Sequence, residues 1–121
     1  MFGIPTPTYY ANAISQLWSS GKYLKIWIFS DEPNLASKIY GEILPFECRW
    51  IPEIDGSAAK TLEVMRFGNG YVIANSTFSW WGAFLSHKFN PDVIAPSPWF
   101  KSTESPSHIL PPNWQLLPGW E

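Results

Sequence analysis

Residues 71–86 read YVIANSTFSWWGAFLS, and this stretch passes from an apolar run through a polar turn into an aromatic run. Its first four residues, 71–74, are apolar or aromatic throughout, which is typical of a short buried strand. The turn at 75–79 carries amide and hydroxyl side chains that cap helices, so it predicts a helix from there to about His87. A strand that passes through a tight turn into a helix is the repeating unit of α/β proteins.

Capped helical segments alternate with short apolar runs over the rest of the sequence. Helices are predicted from Thr6, Pro33 and Ser57, where a capping side chain or a first-turn proline precedes apolar residues. Further strands are predicted at 24–29, 49–51, 93–95 and 114–117. Because strands that are apolar throughout are buried on both faces, the pattern indicates an α/β fold with a parallel sheet covered by helices. Its central strands should be 24–29 and 71–74.

The composition is that of one folded domain, which we place over residues 1–121. Apolar residues make up 45% of the chain and charged residues 15%, which is typical of globular proteins. The eight Lys and Arg residues are scattered and the net charge is −2, so no nucleic-acid partner is expected. The single cysteine, Cys48, excludes an internal disulfide and a cysteine-based zinc site.

The turns that follow the predicted strands are the places to look for a ligand, because parallel sheets bind ligands at the carboxyl ends of their strands. These turns are 30–33, 75–79 and 96–102. At 75–79 a helix N-terminus offers free backbone N–H groups and a partial positive charge, which suit a phosphate or diphosphate. Helix capping by Asn75, Ser76 or Thr77 is the simpler explanation of the same residues. The glycine patterns of nucleotide-binding loops and of nucleophile elbows are absent.

The stretch 71–86 resembles the signature of the family 11 α-1,2-fucosyltransferases, whose members carry close variants of IANSTFSWWGAWL. Four further segments are similar to that family. They are YYANAI at 9–14 for its YYxxAI helix, FSDE at 29–32 for its FSDD turn, VIAPSPWF at 93–100 for its VIAPxxWF loop, and PNW at 112–114 for its closing P-x-W segment. The resemblance therefore covers nearly the whole sequence.

The resemblance implies the Rossmann-like, C-terminal half of a GT-B-type glycosyltransferase, which binds GDP-fucose and transfers fucose with inversion to a galactoside. It implies six donor-binding residues, and it identifies no catalytic residue and no general base. Those at the diphosphate are Asn75, Ser76, Thr77 and Ser79, and those at the neighbouring strand end are Ser30 and Asp31. Because no DxD motif occurs in the sequence, we expect neither a metal nor another cofactor. The expected location is the cytoplasm or the inner face of a membrane.

The sequence departs from the family pattern in two respects. The family's HxRRxD motif precedes the YYxxAI helix, and this sequence does not contain it. Thr61 stands where the family usually has an acidic residue, and Arg66 where it has serine. We therefore expect weak GDP binding and little fucosyl transfer by the isolated chain, with a missing N-terminal domain or a homo-oligomer as partner. The alternative is a non-catalytic nucleotide-sugar-binding module or an inactive fragment.

Other candidate residues have simpler structural interpretations. Trp80, Trp81 and Phe84 are interpreted as packing between helix and sheet rather than as a stacking surface for a base or sugar. His87 and His108 could serve as bases, but a lone histidine is more often structural or exposed.

Overall fold

The computed structural model describes residues 6–23, 25–30, 33–41, 48–74, 76–97 and 110–119. Strands and helices alternate along this part of the chain, as the sequence predicts. In chain order the elements are α1 (Pro7–Trp18), β1 (Trp27–Phe29), α2 (Pro33–Tyr40), β2 (Arg49–Ile51), a 3₁₀ turn (Ile54–Gly56), α3 (Ala58–Met65), β3 (Gly70–Val72), α4 (Thr77–Phe84), β4 (Asp92–Ser97) and β5 (Gln115–Pro118).

All described strand pairs are parallel, which confirms the α/β class. The strands form two sheets rather than the one predicted: β1 pairs with β2, and β3, β4 and β5 pair in that order. The prediction that 24–29 and 71–74 are central strands is wrong within the described sheets. The first contributes β1 to a two-stranded sheet, and the second contributes β3, which lies at an edge with β4 in the middle. The physical reason is burial. Residues 93–96 of β4 are buried at four successive positions, whereas the three residues of β3 are only half-buried.

Helices α1 and α4 cover opposite faces of the three-stranded sheet. On one face Val93 and Ala95 pack with Ala83 of α4, and on the other Ile94 packs with Tyr9 and Ala13 of α1. The alternation along β4 follows from the two-residue repeat of a strand. Full burial of one such aliphatic side chain stabilises the fold by about 1.5–3 kcal/mol.

The predicted helix caps are confirmed for α1 and α3. The Thr6 Oγ1 atom accepts a hydrogen bond from the Tyr9 N–H at 3.2 Å, and Ser57 Oγ accepts from the Lys60 N–H at 3.2 Å. Each cap satisfies a first-turn N–H group that has no partner inside its helix. Proline at the first position of α1 fixes φ in the helical range.

A tyrosine ahead of β1 contacts the amino end of the three-stranded sheet. The Tyr23 hydroxyl donates to Asp92 Oδ2 at 2.6 Å, and a Cβ on Gly70 would lie 2.6 Å from that hydroxyl oxygen. Glycine at position 70 therefore leaves the space that the tyrosine ring occupies. No helix among the described residues is long and apolar enough to cross a membrane.

Candidate functional site

The N-terminus of α4 lies directly after β3, at the carboxyl end of that strand. Its cap residue is Ser76, whose Oγ accepts from the Ser79 N–H at 3.1 Å. The Trp80 N–H donates to the Ser76 carbonyl at 3.0 Å. Capping is therefore realised at this turn, as the simpler of the two sequence interpretations requires.

A backbone N–H group in the first turn of α4 has no acceptor in this arrangement of the described residues. The Phe78 N–H has no acceptor within the part of the chain that the structure describes. An unpaired first-turn N–H carries part of the positive end of the helix dipole. The turn thus combines helix capping with a donor that an anion could accept from.

Ser79 acts inside the turn. Its half-buried Oγ lies 3.0 Å from the Ala74 carbonyl, 3.0 Å from the Ser76 carbonyl and 2.8 Å from Ser76 Oγ. A hydroxyl has one proton, and carbonyl oxygens only accept. The Ser79 proton is therefore directed to the backbone of the turn, so the Ser76 hydroxyl is the donor in the 2.8 Å contact with Ser79 Oγ, and Ser76 itself is exposed.

The N-terminus of α1 lies at the same edge of the sheet. The Thr6 N–H donates to the Gly119 carbonyl at 3.0 Å, and the Gly119 N–H donates to the Ser97 carbonyl at 3.4 Å. Gly119 follows the last residue of β5, and Ser97 is the last residue of β4. Two helix N-termini, those of α1 and α4, therefore meet the carboxyl edge of one parallel sheet.

A buried tyrosine joins these two helix starts. The Tyr9 hydroxyl donates toward the Ile73 carbonyl at 2.5 Å and toward the Ile94 carbonyl at 3.1 Å. Burial, and to a smaller extent Tyr10, raises the pKa of Tyr9 far above its ordinary value. The hydroxyl consequently stays protonated and remains a donor. The sequence offered the YYxxAI resemblance as a signal for this residue, but it gave no indication of its partners.

The remaining predicted donor-binding residues fall in different places. Ser30 follows β1 by one residue, and its N–H donates to the Ile51 carbonyl at 3.1 Å, so it lies at the carboxyl end of the two-stranded sheet. Asp31, Asn75 and the side chain of Thr77 lie outside the described residues, as does most of the turn 96–102. Of the six predicted donor-binding residues, the structure brings Ser76 and Ser79 into contact.

Both departures from the family pattern are engaged in internal contacts. Thr61 is buried, and its hydroxyl donates to the Ser57 carbonyl at 2.8 Å and accepts from the Ile54 N–H at 2.8 Å. Arg66 donates through Nε to the Leu85 carbonyl at 3.1 Å and pairs through Nη1 with Glu63 at 2.9 Å. Thr61 thus braces the 3₁₀ turn, and Arg66 links the ends of α3 and α4.

Of the three aromatic candidates in α4, Trp80 packs against the core as predicted, whereas Trp81 and Phe84 are exposed, so the packing interpretation is wrong for these two. Trp80 and Phe84 stack with ring centroids 4.7 Å apart, and Trp80 also contacts Trp114 at 5.8 Å. The His87 ring lies against Phe67 at 5.4 Å. His108 lies outside the described residues. Within the described ranges, no three His, Cys, Asp or Glu side chains come together in a group that could hold a metal ion.

Comparison with known proteins identifies relatives over nearly the whole chain. The family model of glycosyl transferase family 11 matches residues 7–117. An α-1,2-colitosyltransferase of Escherichia coli is 33% identical over 103 residues, which are 84% of this chain and 35% of that protein. The O-antigen biosynthesis glycosyltransferase WbnK of Escherichia coli is 30% identical over 112 residues, 93% of this chain and 36% of that protein. The chain thus spans about a third of the length of these relatives. No solved structure matches.

Proposed function

Because the chain belongs to glycosyl transferase family 11, we propose that it forms the GDP-sugar-binding half of an α-1,2-fucosyltransferase with a GT-B-type architecture. The enzyme transfers fucose from GDP-fucose to a galactoside, with inversion at the sugar carbon. The observation that carries the proposal is the capped N-terminus of α4 at the carboxyl edge of a parallel sheet, within the segment that resembles the family signature.

The chemical task of this edge is to stabilise the negative charge that grows on the departing GDP. Fixed N–H and O–H donors do this without reorganising during the reaction. The Phe78 N–H is a described donor in a position to act, and the exposed Ser76 hydroxyl becomes a second one when it turns from Ser79 Oγ to the phosphate. Ser79 holds the turn in shape, and Tyr9 fixes the β3 end relative to α1.

Colitosyl transfer is a second candidate, favoured by the relative that carries this activity in its name. That name also supports the α-1,2 linkage. Colitose lacks one hydroxyl that fucose has, so the two donors differ only at the sugar ring. A site that hydrogen-bonds this hydroxyl would discriminate strongly between them, and an apolar pocket would not. Transfer assays with both GDP-sugars and one galactoside acceptor would decide between the candidates.

The proposed place of action is the cytoplasm, at the inner face of the membrane where surface polysaccharides are assembled. The O-antigen biosynthesis role in the name of one relative favours this location. A further domain or a second copy of the chain is proposed to complete the acceptor site.

Calorimetric titration of the purified chain with GDP tests the donor site. We expect Ser76→Ala to weaken GDP binding by about 1–3 kcal/mol, since a charge-assisted hydrogen bond is lost. Ser57→Ala is the matched control, because Ser57 caps α3 with the same geometry. Each change should lower stability by about 1 kcal/mol, but only Ser76→Ala should affect GDP. Equal GDP affinity in the two variants would contradict the proposal.

A further inference from the structure

A cleft of about 440 Å³ opens at the amino edge of the three-stranded sheet, on the side opposite Ser76. Residues 83, 84 and 86–91, from the end of α4 into the loop before β4, form one wall, and Pro111, Asn113 and Trp114 before β5 form the other. Its volume falls within the range of small-molecule sites, about 300–1,000 Å³. The proposed donor site does not use any of these residues.

The cleft presents aromatic rings to solvent. Phe89 is 96% exposed and Phe84 53% exposed, although the Phe84 ring is held on one side by its stacking on Trp80. Trp114 is nearly buried in the adjoining core. Single exposed apolar side chains are common on protein surfaces, but Phe84 and Phe89 are two exposed rings that line one concave surface.

Polar groups with free hydrogen-bonding capacity stand next to these rings. Asn113 Nδ2 donates to Asn90 Oδ1 at 2.6 Å, which fixes both amides in place. This leaves Asn113 Oδ1 as an acceptor and Asn90 Nδ2 as a donor, neither with a partner in the described ranges. Lys88 and His87 also line the cleft, and its described lining contains no carboxylate.

We propose that this cleft is a carbohydrate subsite, which holds a sugar ring of a glycan chain away from the donor edge. The apolar face of a pyranose ring packs on an exposed aromatic ring, and its hydroxyls exchange hydrogen bonds with paired amides that both donate and accept. A purely apolar partner would leave the two amides and Lys88 without compensation. The inference rests on the proposed function only in that the acceptor is a glycan; binding in the cleft requires no nucleotide.

The test is a titration of the full ¹⁵N-labelled chain with lactose, a β-galactoside, without nucleotide. We expect the side-chain resonances of Asn113 and Trp114 to shift with a dissociation constant in roughly the millimolar range. Phe89→Ala should weaken this binding about fivefold through loss of ring contact, and the fold should tolerate it because the ring is exposed. Leu35→Ala, which shortens an exposed apolar side chain on α2, should leave lactose binding unchanged.

Two results would overturn the proposal. One is the absence of lactose-dependent shifts at Asn113 and Trp114 in a folded chain. The other is a chain that does not bind lactose but self-associates, and whose self-association is abolished by Phe89→Ala. The cleft would then be an interface between proteins. GDP calorimetry on the same sample separates the two hypotheses. GDP binding without lactose shifts removes only the carbohydrate subsite, and lactose shifts without GDP binding remove only the donor site.

Discussion

The hydroxyl of Tyr9 in the first turn of α1 lies 2.5 Å from the carbonyl oxygen of Ile73, the residue that follows β3. This contact joins positions 64 residues apart and ties the start of one helix to the strand that leads into the other. Because Tyr9 is almost fully buried, no water replaces its hydroxyl if it is removed. The Tyr9 hydroxyl therefore helps to fix the relative position of the two helix N-termini.

Tyr9→Phe should destabilise the fold by about 1–3 kcal/mol, because a buried carbonyl loses its donor. Urea unfolding followed by circular dichroism measures this loss. Tyr10→Phe is the matched control, since Tyr10 is the neighbouring residue and its hydroxyl has no hydrogen bond within the described ranges. We expect Tyr10→Phe to lower the free energy of unfolding by less than half as much as Tyr9→Phe. Equal losses in both variants would show that the Ile73 contact does not stabilise the fold.

Ser79→Ala should act through the shape of the turn, whereas Ser76→Ala should act directly on the anion. Removing the Ser79 hydroxyl deletes the contacts to the Ala74 and Ser76 carbonyls. We expect a stability loss of about 1 kcal/mol and a smaller loss of GDP affinity than in Ser76→Ala. Thermal unfolding and GDP calorimetry on the two variants provide the comparison. The reverse order of GDP affinities would mean that Ser79 is the ligand contact and Ser76 only a cap.

Local patterns sufficed for the caps and failed for contacts that span the chain. Ser57 and Ser76 are recognisable because capping depends on residues within one turn. The central position of β4 was missed because 93–95 and 71–74 look equally apolar, and only tertiary packing decides which is buried on both faces. The partners of Tyr9 and the Asn90–Asn113 pair could not be predicted from the sequence, since each contact joins segments more than twenty residues apart.

The Tyr23–Asp92 pair should make stability depend on pH in the acid range. The hydrogen bond from Tyr23, and to a smaller extent Lys22, lowers the pKa of Asp92 below its ordinary 3.8. A lowered pKa in the folded state contributes stability above that ordinary value, and the contribution is lost as the pH falls through the lowered pKa. The stability difference between the natural chain and Tyr23→Phe should therefore stay constant above about pH 5 and shrink as the pH falls below about 4. Urea unfolding at several pH values measures this stability difference. A difference that grows toward pH 3 would show that the Tyr23–Asp92 hydrogen bond does not lower the pKa of Asp92.

Gly82→Ala should change stability little, because Met65 of α3 can yield to the new methyl group. A Cβ at this position would lie 2.9 Å from Met65 Cε and 3.5 Å from Met65 Cβ. Only the contact with Cε is too close, and Cε is the end of a flexible side chain that can turn aside. Alanine is also the better helix former by about 1 kcal/mol, so we expect the free energy of unfolding to change by less than about 1 kcal/mol. In a Met65→Ala background the same glycine change should be clearly more stabilising, because the close contact is gone. Equal effects in the two backgrounds would show that the two residues do not oppose each other.

GDP binding should be independent of divalent metal ions and selective for guanosine. The metal prediction follows from the donors at α4, since on the proposed function backbone N–H and hydroxyl groups would offset the phosphate charge without a cation. The base preference follows from the resemblance to the fucosyltransferases, whose donor carries guanosine. Calorimetry in EDTA and in magnesium chloride should give the same GDP affinity, and UDP should compete at least about tenfold more weakly, a difference of about 1.4 kcal/mol. Loss of binding in EDTA would mean that a cation bridges the protein and the diphosphate. Equal competition by UDP would mean that the chain reads only the phosphates, and the guanosine assignment would then be wrong.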